Sequence, residues 1–242
     1  AETTGPQKDR LRVRAIDTAR ILWLLYVGLT VAEVGLLLVG GSLPFYDSLN
    51  IAFATMPTGG FLHLQDSIGA YADRPFITTV VTIFMLAAGT NFSLYYFAIR
   101  QRRFGAVLEN AEFKLFIGIF VVAVLLMTLD VTRAGILSFP RAVQHATFNI
   151  ASIQTATGFA TTDFNQWPAL SRGLFLVLML VGGCAGSTAG GFKVVRLLVI
   201  AKYAWRGITK AFSPHLVSPV WVGGQSLPEP VVSRVVGTTC VY

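Results

Sequence analysis

Apolar residues along the chain gather into long runs, separated by short stretches that are either basic or rich in glycine and threonine. The first run, Ile16 to Leu38, is long enough to cross a bilayer, which takes about 20 mainly apolar residues. The glycine pair Gly40 and Gly41 ends it. A second span is predicted from Pro75, a favourable first-turn position, to Ile99. A third is predicted from Ala111 to Leu129, and a fourth from Pro168 through a glycine run to Lys202. Two further apolar stretches, PFYDSLNIAFATM (44–56) and FPRAVQHATFNIASI (139–153), are too short to cross. Their length suits buried or re-entrant segments.

The resulting order, long, short, long, occurs twice, which points to an internal repeat. An offset of 99 aligns NIAFATMPTG (50–59) with NIASIQTATG (149–158). An offset of 94 aligns MLAAG (85–89) with MLVGG (179–183), and brings Ser93 onto Ser187 and Arg102 onto Arg196. The expected fold is an all-α integral membrane protein made of two copies of one unit: helix, short re-entrant helix, loop, helix. The expected divisions are a cytoplasmic segment 1–15, a first repeat 16–103, a second repeat 104–202 with a glycine-broken helix, and a link with the start of a further helix, 203–242.

Composition agrees with this class. The 242 residues are 54% hydrophobic and only 13% charged, against about 25% charged in a soluble domain. The net charge of +7 is topogenic rather than a nucleic-acid footprint, because the basic residues lie between the apolar runs. Lys8, Arg10, Arg12, Arg14, Arg20, Arg100, Arg102, Arg103, Lys114, Lys193, Arg196, Lys202, Arg206, Lys210 and Arg234 fall on one side, and Arg74, Arg133, Arg141 and Arg172 on the other. Fifteen against four predicts a cytoplasmic N-terminus, middle loop and tail, so that both short segments enter from outside. The two cysteines, Cys184 and Cys240, suggest neither a disulfide framework nor a metal cluster. The chain starts without Met or a signal pattern and ends in VVSRVVGTTCVY, which resembles a helix cut short. It is therefore expected to be a piece of a longer protein.

Each short segment ends in a threonine- and glycine-rich tract, TMPTGGFLH (55–63) and QTATGFATTDF (154–164). Such tracts are common in extracytoplasmic turns. Non-helical backbone at membrane depth, however, is tolerated only where protein buries it or it lines a water-filled cavity. Glycine lets backbone carbonyls turn inward with no Cβ in the way, and rings of carbonyls replace the hydration shell of K+ in potassium filters. Matching tracts in two repeats favour the second reading.

These motifs carry a specific resemblance. TATGFATTDF, with GGCAGSTAGGFKVVR downstream, is similar to the TrkH/KtrB family of bacterial potassium-uptake proteins. TMPTGGF followed by DSIGAY resembles the filter of that family's second repeat, TATGFATTDFNQWP that of the third, and SPHLVSPVWVGGQSLPEP the link into the fourth. The resemblance implies a potassium-channel-like architecture of repeated helix, re-entrant pore loop, helix units, four around one pore, of which this chain covers about the second and third. It implies Gly59 and Gly158 as filter glycines, with K+ held by carbonyls among Thr58, Gly59, Gly60, Thr155, Ala156, Thr157, Gly158 and Phe159. Ala156 stands where a third threonine is expected. The resemblance further implies K+ as substrate with no cofactor, an inner-membrane location, and a homodimer bound to a cytosolic nucleotide-binding regulatory subunit.

The glycine run, Gly182, Gly183, Ala185, Gly186, Ser187, Thr188, Ala189, Gly190 and Gly191, begins about 14 residues after Pro168, or roughly 21 Å along a helix. One reading is close helix packing through small-xxx-small pairs such as Gly182/Gly186. The other is a break below the filter that obstructs the pore, which is the gating loop of the resembled family. Lys193 and Arg196 are either snorkelling anchors or cations that repel K+ near the exit. Glu33 lies within a span, where a carboxylate is a functional candidate; near the outer end it is rather expected to reach the headgroups. His63 and His145 flank the tracts as packed hydrogen-bonders, while Asp66 and Asp163 either attract cations or solvate loops.

Enzyme readings fail on spacing: GSTAGGFKV lacks the G-K-[ST] ending of a phosphate loop, and no G-x-S-x-G elbow is present. Gated K+ uptake is the leading expectation. The alternatives are a non-conducting membrane scaffold and a transporter of another small cation such as Na+.

Overall fold

The computed structural model describes residues 6–101, 105–212, 220–222 and 225–241. Arg102, Arg103 and much of the link 213–224 lie outside the described residues, as do the side chains of Lys8, Arg10, Arg12, Arg14, Arg100 and Lys210. Ten helices follow in order among the described residues: α1 (Pro6–Val39), α2 (Phe45–Thr55), α3 (Pro75–Gly89), α4 (Phe92–Gln101), α5 (Gly105–Glu109), α6 (Ala111–Arg133), α7 (Phe139–Gln154), α8 (Ala169–Leu180), α9 (Val194–Phe212) and α10 (Glu229–Val241). A short antiparallel hairpin, β1 (Val220–Val222) and β2 (Gln225–Leu227), joins the last two helices, with Val220 opposite Leu227. Two helical segments, Ala19–Val39 and Ala111–Arg133, are long and apolar enough to cross a membrane.

Local chemistry explains the helix starts. Pro75 opens α3, where its missing N–H is no loss. The Asn110 side chain caps α6 by accepting from Phe113 N at 3.0 Å, satisfying one of the orphan donors of a first turn. The first turn of α8 is tied to α6 instead: Ser171 donates to Asp130 Oδ2 from both its amide (3.0 Å) and its hydroxyl (2.7 Å).

Two apolar clusters organise the packing. One joins α1, α2 and α3 through Leu37, Ile51, Ile77, Val81 and Met85. The other joins α6, α7 and α8 through Met127, Ala146, Ile150, Phe175 and Leu178. Each therefore combines a long helix, a short helix and the helix after it. The first cluster also takes in Phe148 and Ala151 of α7, so that α7 packs on α3 as well as on its own neighbours. On the far side, Val199 of α9 packs on Val232 of α10, and Arg206 pairs with Glu229.

Two predicted spans are not continuous. The run from Pro75 to Ile99 bends by 93° between Pro75–Gly89 and Phe92–Ile99. Thr90 is extended there, and the Asn91 side chain accepts from Ser93 N at 2.9 Å to start α4, the usual task of asparagine at a helix N-cap. The run after Pro168 likewise stops at Leu180 and resumes as a helix only at Val194. Glu33 is also not where it was expected. It is fully buried beside Thr55 of α2, because α1 lays this face on α2 rather than turning it to the headgroups.

Candidate functional site

The two threonine- and glycine-rich tracts follow directly from α2 and α7, and their backbones repeat. In the first, Thr58 N donates to Thr55 O, and both Gly59 N and Gly60 N turn back to Ala54 O, at 2.9 and 3.1 Å. In the second, Ala156 N donates to Ile153 O, and both Thr157 N and Gly158 N turn back to Ser152 O, at 2.8 and 3.4 Å. Positive φ recurs at the same steps, +54° and +68° at Thr58 and Gly60, +57° and +88° at Ala156 and Gly158. The offset between equivalent residues is thus 98, not the 99 read from the sequence. Gly60 is the counterpart of Gly158, Gly59 that of Thr157, and Thr58 that of Ala156.

The tracts lie side by side. A Cβ on Gly60 would sit 1.9 Å from the Thr157 carbonyl oxygen, whereas one on Gly59 would meet nothing closer than Phe61 at 3.7 Å. The threonine hydroxyls of the second tract are consumed internally: Thr155 Oγ1 donates to Ala151 O at 2.7 Å and lies 2.7 Å from Thr157 Oγ1. Ser152 Oγ donates to Phe159 O at 2.7 Å, tying the end of the tract back to α7. What the tracts leave over is carbonyl oxygen. No described residue donates a hydrogen bond to the carbonyls of Thr58, Gly59, Gly60, Thr157 or Gly158; of these residues Gly158 is exposed, and Gly59 and Gly60 are half-buried.

The glycine run forms a closed loop, 181–193, that leaves α8 and returns to it. Val181 and Phe192 bridge at its neck, with Gly182 N donating to Phe192 O at 2.9 Å and Phe192 N to Leu180 O at 3.2 Å. Glycine is needed at this neck, since a Cβ on Gly182 would fall 2.0 Å from Gly190 O. The run is therefore not a packing seam between two continuous helices. Its amides fill the acceptors opened by the bend between α3 and α4: Cys184 N donates to Gly89 O (2.9 Å) and Thr188 N to Ala88 O (3.2 Å). In return Phe92 N donates to Gly186 O at 3.1 Å.

The loop also touches both tracts. Thr188 Oγ1 donates to Met56 O at 2.8 Å, and Thr58 Oγ1 donates to Thr188 O at 3.0 Å. A Cβ on Gly190 would stand 3.2 Å from Ala156 Cβ. Thr58, Ala156 and the segment 182–191, named separately from sequence, thus form one assembly.

Two charged side chains hold the loop. Glu112, buried at the start of α6, accepts with one oxygen from Ala185 N (2.6 Å) and from Val195 N (3.2 Å). Lys193 Nζ donates to Ala189 O within the loop, while Arg196 lies over the Phe192 ring at 5.8 Å. Sequence reasoning missed Glu112, whose place after Asn110 reads as an ordinary first-turn acid.

Beyond the tracts, His145 Nδ1 lies 2.9 Å from Thr161 Oγ1, and His63 Nε2 lies 3.1 Å from Asp47 Oδ1. His145 is a buried hydrogen-bonder, whereas His63 is exposed and pairs with Asp47 at the surface. Asp66 and Asp163 line one cleft of about 510 Å³ together with Ser67, Thr161 and Asn165. Asp163 also accepts from the Asn165 amide at 3.0 Å, a local loop bond.

Comparison with known proteins gives concordant likenesses. A family model, TrkH, described as a cation transport protein, matches residues 1–241. The Trk system potassium uptake proteins TrkH of Salmonella typhimurium and of Escherichia coli are each 36% identical over 244 residues, covering 100% of this chain and 50% of theirs. The Trk system potassium uptake protein TrkG of E. coli is 30% identical over 236 residues, 97% of this chain and 48% of its own. The crystal structure of the potassium transporter TrkH from Vibrio parahaemolyticus matches with a TM-score of 0.85 at 34% identity, over 94% of this chain and 49% of that one. The chain spans about half the length of the curated relatives it matches.

Proposed function

The chain belongs to the TrkH family of cation transport proteins, and on that premise we propose that it supplies part of a gated pore for potassium uptake. The observation that carries this reading is the set of undonated carbonyls at matched positions of the two tracts, on Gly60 and Gly158 and their neighbours. Backbone carbonyls are the ligands that replace the hydration shell of K+, and hydroxyls engaged elsewhere leave them as the tracts' main offering. In this reading α2 and α7 are re-entrant pore helices within two successive repeats, and each directs the partly negative end of its dipole toward the ion.

The loop 182–191 is the gate. It lies against both tracts, is built of residues that permit tight backbone contact, and is held by Glu112 and Lys193 rather than by a continuous helix. Asp66 and Asp163 line the outer cleft and raise the local cation concentration there. The bias of basic residues assigns the middle loop and tail to the cytoplasm. The family resemblance adds an inner-membrane location, a homodimer and a cytosolic nucleotide-binding regulator.

The decisive experiment is uptake by a potassium-transport-deficient bacterium carrying the full-length gene. Rescue is expected, and its absence despite good expression would refute the transport reading. Gly158→Ser tests the filter more narrowly. A Cβ at this position meets no atom within 4 Å, but φ is +88°, so the change acts on the backbone alone. It is expected to lower K+ over Na+ discrimination; unaltered discrimination would remove Gly158 from the filter.

A further inference from the structure

We propose that Thr188, in the glycine-rich loop, is a specificity-determining residue: through a reciprocal clasp on the first tract it makes the filter's geometry depend on the position of the gate. The inference rests on the filter and gate readings above. It adds that the two are one mechanical unit.

The clasp consists of bonds running both ways. Thr188 Oγ1 reaches up to Met56 O (2.8 Å), and Thr58 Oγ1 reaches down to Thr188 O (3.0 Å). Thr188 is itself seated, since its amide donates to Ala88 O at the end of α3 at 3.2 Å, and Ala88 O also lies 3.1 Å from its hydroxyl, as a second acceptor for the one proton directed at Met56 O. The clasp grips the tract at its most constrained point. Thr58 has φ of +54°, a conformation that a β-branched residue avoids and that persists only where surrounding contacts over-determine it. Its one hydroxyl proton is shared between Thr188 O and Pro57 O, the latter at 2.7 Å, a local acceptor that would travel with it. The bond to Thr188 O is the one that ties this side chain to another part of the molecule.

The second tract supports the same conclusion. Ala156, the counterpart of Thr58 at an offset of 98, has φ of +57° and faces the loop at Gly190. The loop thus comes to each tract at its left-handed residue, by hydrogen bonding at Thr58 and by the proximity of Gly190 at Ala156. Removing the loop from beneath the tracts breaks the clasp at Thr58 and frees the space under Ala156. Both residues are then released toward ordinary backbone conformations, and the carbonyls that follow them are re-aimed. It also follows that the absent threonine at Ala156 is a missing tie to the gate rather than a missing ion ligand.

The test is made in the full-length transporter, reading the ratio of K+ to Na+ uptake and the amount of protein in the membrane. Thr188→Val and Thr58→Val are each expected to change the ratio in the same direction by about two- to tenfold, the range one net hydrogen bond spans. The two variants remove different bonds of one clasp, Thr188 Oγ1 to Met56 O and Thr58 Oγ1 to Thr188 O, so the double variant is expected to depart from the product of the single effects, as for residues in contact within one network. Thr188→Ser, which keeps the hydroxyl, should stay at the wild-type ratio, and Thr188→Ala repeats the test if the valine fails to accumulate. A Thr188 variant that raises uptake with its ratio unchanged, or singles whose effects multiply in the double, would overturn the clasp. An unchanged ratio in Gly158→Ser would instead refute the filter reading on which the clasp depends.

Discussion

Gly59 and Gly60 are adjacent, identical in chemistry and different in duty. Gly60 has a φ of +68° and faces the Thr157 carbonyl so closely that a Cβ would stand 1.9 Å from it, while a Cβ on Gly59 would find its nearest neighbour at 3.7 Å. Gly60→Ala is therefore expected to abolish selective uptake, since neither the strain nor the clash can be relieved without moving the second tract. Gly59→Ala is expected to retain it. Uptake and K+/Na+ discrimination measured on the pair check the assignment, and equal loss in both variants would refute it. The sequence could not separate the two. The letters Asn-Ile-Ala and Thr-Gly coincide at an offset of 99, whereas the carbonyls that receive the turning amides, Ala54 and Ser152, repeat at 98. Identity of side chains misled because the repeat lies in the backbone turns, which residues of different side chain can make. The tracts themselves were legible because glycine and threonine cluster there for conformational reasons that leave a compositional trace.

At the scale of elements, the spans that failed to run straight are the informative ones. Glycines beyond Val181 announced the break after α8, but the 93° bend between α3 and α4 had only one glycine, Gly89, to mark it. The reason is that the bend is stabilised from outside. The carbonyls it exposes on Ala88 and Gly89 are filled by amides of a loop about 100 residues further on, and no local pattern encodes that. Glu112 is of the same kind, joining α6, the loop and the start of α9 through one carboxylate oxygen. Glu112→Ala leaves two amides inside the molecule without their acceptor, at about 1–3 kcal/mol for an unmet buried group, and frees the loop at both of its ends. The expected result is a raised K+ leak from membranes containing the full-length protein. Glu112→Gln keeps an oxygen at the same place and is expected to leak far less. A leak of the same size from both variants, or from neither, would show that the carboxylate does not hold the gate.

On the whole-molecule scale, each half of the chain brings one long helix, one short helix and one tract, and the halves meet where Gly60 lies against the Thr157 carbonyl. Two tracts placed side by side present carbonyls from two directions. A dehydrated ion must be surrounded on every side by oxygens that replace its water, so the arc formed by these two tracts has to be completed by others. The chain spans about half the length of its relatives, as a pair of quadrants in a four-repeat pore would. The 242-residue chain reconstituted alone in vesicles is accordingly expected to give no K+-selective flux, under conditions in which the full-length protein does. Tracer uptake against a K+ gradient measures this directly. A selective flux from the short chain that disappears on dilution in the bilayer would mean that two copies had assembled four tracts, since only an assembled pore depends on the density of its parts. A selective flux that survives dilution would mean that two tracts complete the ion's coordination by themselves, and the four-part pore would have to be given up.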